Sequence, residues 1–274
     1  MTTPEPRLPA VLSIAGSDSG GGAGIQADLK AFAACGVHGM TAITAITAQS
    51  TVGVDAVGAI DPELIVAQVR AVQRDIGVDA VKIGMLGTVE TIAAVERALD
   101  LLDAGTPIVL DPVMVAESGA ELLAADARTA LVERLLPRVT VTTPNLPEAR
   151  AIVGQTDADA PALARAIHAL GPRCVVVTGG HRDAATDVFF DGEALVEIPG
   201  ERFADGAAHG SGCTHSSALA AHLAHGFTPL AAARAAKAIA AAAVRDGLRE
   251  IGSGAGPVDV LGVRERRPSP PAGT

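Results

Sequence analysis

Short apolar runs and longer amphipathic runs alternate along most of this chain. Residues 10–15, 41–47, 80–83, 107–110, 139–142 and 174–178 are brief, apolar and partly β-branched, and most run into Gly, Pro, Asp or Asn. That pattern predicts strands. The stretches 23–34, 62–75, 88–103, 126–135, 160–170, 214–225 and 229–248 carry 3.6-residue spacing or strong alanine content, several with proline near the start, and predict helices. Strand–helix alternation at this spacing implies a mostly parallel sheet with helices on both faces. Two weaker extended pieces, 52–60 and 187–198, read as hairpin or flap material. Segments 252–256 and 264–274 are rich in glycine and proline.

In such a sheet, ligands sit beyond the carboxyl ends of the strands, so the residues just after each strand carry the functional information. The first strand runs into Gly16-Ser17-Asp18-Ser19-Gly20-Gly21-Gly22-Ala23-Gly24, with Gln26 and Asp28 in the opening helical turns. The second leads to Gln49, the third to Lys82-Ile83-Gly84-Met85, the fourth to Asp111-Pro112-Val113-Met114, and the fifth to Asn145 and Glu148. The glycine-rich turn is neither GxGxxG nor a Walker loop, and a tight strand–helix turn also accounts for it. Gly210-Ser211-Gly212-Cys213-Thr214 stands before an alanine-rich run. It places backbone N–H groups and a helix dipole where they favour an anion, such as the charge that builds on a phosphoryl group in flight. There Cys213 is expected to have a lowered pKa suited to proton abstraction. A glycine turn capping a helix over a buried cysteine fits the same residues.

Composition narrows the classes. A chain of 274 residues, 49% hydrophobic, can bury a full core, and no linker interrupts it. The net charge of −10, with no Lys/Arg cluster outside the tail, argues against a nucleic-acid surface or a polybasic membrane contact. No apolar stretch approaches the ~20 residues of a membrane span, and 1–9 lacks an apolar signal core. A cytoplasmic protein is expected. Three cysteines without CxxC spacing indicate neither a disulfide framework nor a thiolate zinc site. His181, His209 and His215 lack the spacing of a histidine metal site.

Taken in order, AGSDSGGGAGIQADLK (15–30), TAQST (47–51), KIGML (82–86), DPVMVAESG (111–119), TPNLPEA (143–149), TGGH (178–181), HGSGCTHSSALAA (209–221) and Ala236-Lys237 resemble the hydroxymethylpyrimidine and phosphomethylpyrimidine kinases of thiamine biosynthesis. The resemblance covers about residues 10–260. It implies a ribokinase-like three-layer α/β/α sandwich with a small β flap. It also implies one kinase domain over 1–274 with flexible tails at 1–9 and 264–274, ATP and Mg²⁺ as co-substrates, and a homodimer. The implied reaction phosphorylates the pyrimidine's hydroxymethyl group.

Phosphoryl transfer needs positioning, metal-assisted charge neutralisation and a base near the attacking hydroxyl. Asp111 and Glu148, carboxylates after adjacent predicted strands, suit a Mg²⁺ that keeps several waters, although a helix N-cap for Asp111 and an exposed helix glutamate for Glu148 fit too. Asn145 lies in the Asn-x-x-Glu arrangement that similar kinases use beside the phosphates. Gln49 offers a donor and an acceptor side by side, matching an exocyclic amine next to a ring nitrogen. By resemblance Asp28 contacts the substrate, while backbone at Gly16 and Val113 and the Met85 side chain shape its slot. Cys213 is the base, with amides of Gly210, Ser211 and Gly212 around it. Lys237, alone among alanines, needs an anionic partner, for which the resemblance suggests ATP phosphates. Thr178 stands where the family often carries lysine, and Ser211 and His215 where threonine and leucine are frequent. A pyridoxal or pyridoxine kinase is the competing enzyme reading, which Gln49 disfavours. A non-catalytic pyrimidine-binding regulator is the other, which joint retention of Cys213, Asp111, Glu148, Asn145 and Lys237 disfavours.

Overall fold

The computed structural model describes residues 7–180, 185–203, 207–266 and 268. Its central sheet runs, from edge to edge, β2 (His38–Ile43), β1 (Ala10–Ala15), β5 (Ala80–Ile83), β6 (Ile108–Leu110), β7 (Val141–Thr142), β8 (Cys174–Val177), β9 (Asp187–Phe190) and β10 (Leu195–Ile198). The pairings from β2 to β8 are all parallel; β9 and β10 close the other edge antiparallel. A separate hairpin of β3 (Ala45–Gln49) and β4 (Val54–Ala59) forms the flap.

Strict alternation along the buried strands assigns the two faces. Leu12, Ile14, Val81, Ile83 and Leu110 pack against α2 (Pro62–Asp75), α3 (Val89–Leu99) and α4 (Ala125–Ala130). On the same face, Val175, Val177 and Val188 meet α5 (Leu146–Val153) and α6 (Ala160–His168). Val11, Ala80, Val109 and Val176 face the other way, onto α1 (Gly24–Ala34), α7 (Ser211–Ala224) and α8 (Pro229–Arg245). The expected three layers are therefore present. Ser13 and Lys82, register partners on β1 and β5, fall on the α1–α7 face, a buried face otherwise filled by apolar side chains.

The pattern misplaces several elements. The strand expected over 41–47 is two strands broken at Thr44. The Thr44 amide donates to the Ala15 carbonyl (3.0 Å), its hydroxyl donates to the Met85 carbonyl (2.8 Å), and its carbonyl accepts from Ile60 (3.0 Å), which turns the chain out of the sheet. Only 52–60 of the two predicted hairpin or flap pieces joins the flap; 187–198 becomes β9 and β10 of the main sheet. The α5 helix was not expected. Asn145, for which a turn is the alternative reading from sequence, and Glu148 form a capping box, each accepting from the other's backbone amide at 2.9 Å, with proline at the second helical position. Helix α7 starts at Ser211 rather than Thr214, because Gly210 caps it at φ +83°. That left-handed conformation, and the Gly22 carbonyl pressed against the place a Cβ would take, admit glycine alone. His181 lies outside the described residues, as do 1–6, Arg267 and 269–274 from the expected tails.

Candidate active site

The carboxyl ends of the parallel strands, the flap and the start of α7 enclose a cavity of about 650 Å³. Gly16, Gln49, Met85, Asp111, Val113, Asn145, Glu148, Thr178, Lys237 and the whole turn from Gly210 to Cys213 line it, so one wall gathers residues spread over more than two hundred positions. Gly16 and Met85 are packed against each other, as a slot requires. The Val113 amide is engaged by the Asp111 carbonyl at 2.8 Å.

At the start of α7, Ser211 departs from expectation: its amide donates to the Ala208 carbonyl at 3.0 Å. Gly212 and Cys213 follow it in the first helical turn, where backbone amides at a helix start are suited to an anion. Asp111 is beside them. Its Oδ2 accepts from the Ser216 hydroxyl at 3.0 Å and lies 3.9 Å from where a Gly212 Cβ would stand.

The Cys213 thiol reverses the expected shift. Although the residue is partly exposed to the cavity, burial pushes the thiol up to about 12. The neighbouring Asp28 and Asp111 charges add to the rise; Lys82 and a bond from the Gly24 amide oppose it. Desolvation together with two carboxylates outweighs one ammonium and a helix terminus.

Asp28 is a second correction. It is fully buried under the site and does not reach the cavity wall. Its oxygens accept from Lys82 Nζ (2.8 and 3.0 Å), the Ser13 hydroxyl (2.6 Å) and the Ser217 hydroxyl (2.7 Å). Lys82, not Asp28, is the member of this pair that lines the cavity.

Glu148 and Asp111 behave as two acids sharing one buried space. Burial, then the Asp111 charge, raises Glu148 to about 8, against amide bonds from Asn145 and Met114. Burial also raises Asp111, against Lys82 and Ser216. Such a pair suits a hard divalent cation, which removes the mutual repulsion. With Glu148 already accepting amides, it suits one held largely through water. Among the described residues, no group of three or more His, Cys, Asp or Glu could hold a metal.

Gln49 is half-buried at the end of β3, its Oε1 3.3 Å from a Thr47 hydroxyl that donates to the Ser17 carbonyl at 2.8 Å. Lining the cavity, its carboxamide offers both amide donors and an acceptor oxygen.

The sequence profile of the phosphomethylpyrimidine kinases matches residues 18–259. A hydroxymethylpyrimidine/phosphomethylpyrimidine kinase from Rhizobium meliloti is 52% identical over 255 residues, covering 90% of this chain and 95% of its own. The chain belongs to the phosphomethylpyrimidine kinase family. Among solved structures, the pyridoxal kinase from Staphylococcus aureus in complex with ADP superposes with a TM-score of 0.85 at 36% identity, covering 93% of this chain and 94% of its own. The phosphomethylpyrimidine kinase from Clostridium difficile gives 0.74 at 40% identity, over 84% and 96%.

Within this kinase fold, three groups went unassigned by the sequence: Lys82, the Asp18–His209 pair, and Asp187. Lys82 lay inside KIGML, where a lysine at a buried strand position was the available signal. Asp18 gathers the glycine-rich loop, accepting from the amides of Gly20 (2.8 Å), Gly22 (3.0 Å) and Ala23 (2.8 Å). These bonds occupy amides of the glycine-rich loop, so they are not free to cradle a phosphate. His209 Nε2, 2.9 Å from Asp18 Oδ2, ties that loop to the start of α7. The third group is Asp187. Lys237 has the anionic partner it needed, but the partner is this carboxylate, at 2.6 Å. Thr178 follows β8, its amide bonded to the Pro144 carbonyl (2.9 Å), and lines the same wall.

Proposed function

We propose that this chain transfers the γ-phosphoryl group of ATP to 4-amino-5-hydroxymethyl-2-methylpyrimidine, and then a second one to the resulting monophosphate, as a step in thiamine biosynthesis. The observation that carries the reading is one cavity in which Gln49, Cys213 and the first turn of α7 converge. Gln49 supplies the paired donor and acceptor that an aminopyrimidine edge requires. Met85 and Gly16 form an aliphatic slot, in keeping with a chain that has no Trp or Tyr.

The Gly212 and Cys213 amides face the charge that grows on the transferring phosphoryl group; losing one such donor typically costs ~10²–10³ in turnover. As the thiolate, the minor form that its raised pKa leaves at neutral pH, Cys213 takes the hydroxyl proton at its Sγ, with Lys82 offsetting the carboxylates around it. Asn145 holds the phosphates through its side-chain amide, its carbonyl oxygen being spent on the Glu148 cap. Asp111 and Glu148 are the residues to hold Mg²⁺, which when bound supplies charge neutralisation at the phosphates and cancels the Asp111 charge beside Cys213. Lys237 and Thr178 serve the nucleotide side. We place the reaction in the cytoplasm, where the three free cysteines stay reduced. The homodimer implied by the resemblance is tested by sedimentation.

Purified protein with ATP, Mg²⁺ and each candidate alcohol tests the reading. The expected products are the pyrimidine monophosphate followed by the diphosphate. Turnover of pyridoxal alone would overturn the specificity, and turnover of neither would favour a binding protein.

A further inference from the structure

Among the described residues, Asp187 Oδ2, both ring nitrogens of His215 and the Thr143 hydroxyl are buried without a hydrogen-bond partner, and all three residues line the cavity. Unpaired polar atoms inside a fold call for an explanation. Asp187 is the hub. Its Oδ1 accepts from the Gly179 amide at 2.7 Å and from Lys237 Nζ at 2.6 Å, while its Oδ2 lies 3.4 Å from His215 Nε2, a gap that a small ring movement closes. The Lys237 stem is held as well, running so close over Gly200 that a Cβ there would collide with it. Asp187, His215 and Lys237 all face the cavity.

We propose that Asp187, with His215 behind it, is the positioning residue that presents the Lys237 ammonium to the phosphates of a bound nucleoside di- or triphosphate. The proposal rests on the reading that Lys237 serves the nucleotide. An ammonium has three donors, and Asp187 takes one, leaving the others for phosphate oxygens. The carboxylate 2.6 Å away fixes the direction in which the ammonium points into the cavity. The stem and head are fixed before a ligand arrives, so the freedom of a flexible four-carbon chain is not lost on binding. Asp187 therefore strengthens the hold on phosphate even though its own charge is negative.

The test is calorimetric titration of ADP into the full chain and its D187N, H215L, K237A and D187N/K237A variants, with the pyrimidine alcohol titrated in parallel. D187N should weaken ADP by at least about tenfold and leave pyrimidine affinity unchanged. H215L, which keeps the Asp187–Lys237 contact and puts an apolar side chain in place of an unpartnered ring, should cause a smaller loss in the same direction and guards against misfolding of D187N. In the K237A background, D187N should add nothing, a coupling that a merely structural role would not produce. Unchanged or tighter ADP binding in D187N, or an additive loss in the double variant, overturns the proposal. K237A with wild-type ADP affinity removes instead the reading that Lys237 meets phosphate; weakened K237A beside unaffected D187N removes the inference alone.

Discussion

Lys82 Nζ lies 2.8 Å from Asp28 Oδ1, and both side chains are fully buried. The pair sits between β1, β5, α1 and α7, with Ser13 and Ser217 completing the carboxylate's bonds, so it joins the floor of the site to the core. Lys82→Ala should destabilise the chain by about 3–5 kcal/mol, because it leaves a buried carboxylate unpaired. A denaturant midpoint within error of wild type would show that the pair is not needed for stability.

Gln49→Ala should weaken pyrimidine binding by ~1–3 kcal/mol, the cost of leaving a polar ring edge unpaired, and leave ATP affinity unchanged. Calorimetry with each ligand separates the two. Unchanged pyrimidine affinity would place the specificity elsewhere in the slot.

Cys213→Ser should fold and bind both substrates while turnover falls ~10²–10⁴-fold, since a serine hydroxyl, whose pKa is higher still, cannot replace the thiolate as base. With its thiol pushed up to about 12, Cys213 should resist iodoacetamide at neutral pH. Its labelling, followed by peptide mass spectrometry, should then rise about tenfold per pH unit between pH 7 and 10, as the thiolate fraction does. Cys35 and Cys174, raised to about 11 by burial, are internal comparisons. Fast labelling of Cys213 at pH 7 would restore the low pKa that the helix terminus suggested.

Glu148 makes stability and metal binding depend on pH. Its carboxyl is raised from 4.5 to about 8 on folding, so between those values the folded chain holds a proton that the unfolded chain has lost. The stabilising contribution is complete below about pH 4.5 and disappears as the pH rises through about 8. Mg²⁺ competes with that proton, and its stabilising effect should therefore grow over the same range. The rise in melting temperature caused by Mg²⁺ should be larger at pH 9 than at pH 6.5, and Glu148→Gln should abolish the difference. An equal rise at both values would remove Glu148 from the metal site.

The sequence by itself determined the layered α/β plan, because burial on both faces of a parallel sheet writes short β-branched runs between amphipathic helices. It also pointed to residues that line the site: Gln49, Asp111, Glu148 and Cys213 stand next to the breaks in that pattern and meet in one cavity. The α5 capping box was legible too, in Asn145 and Glu148 three residues apart, had the adjacent proline been read as a helix start. Tertiary structure alone decided the charges. Asp28 and Lys82 are 54 positions apart, and Asp187 and Lys237 are 50 apart. Neither pairing leaves a periodic mark, because it depends on which faces of separate elements are brought together. The direction of the Cys213 shift was decided the same way. A helix terminus is a local property that can be read from glycines, whereas desolvation and the fields of Asp28 and Asp111 arise only when α1, β6 and α7 close over the thiol.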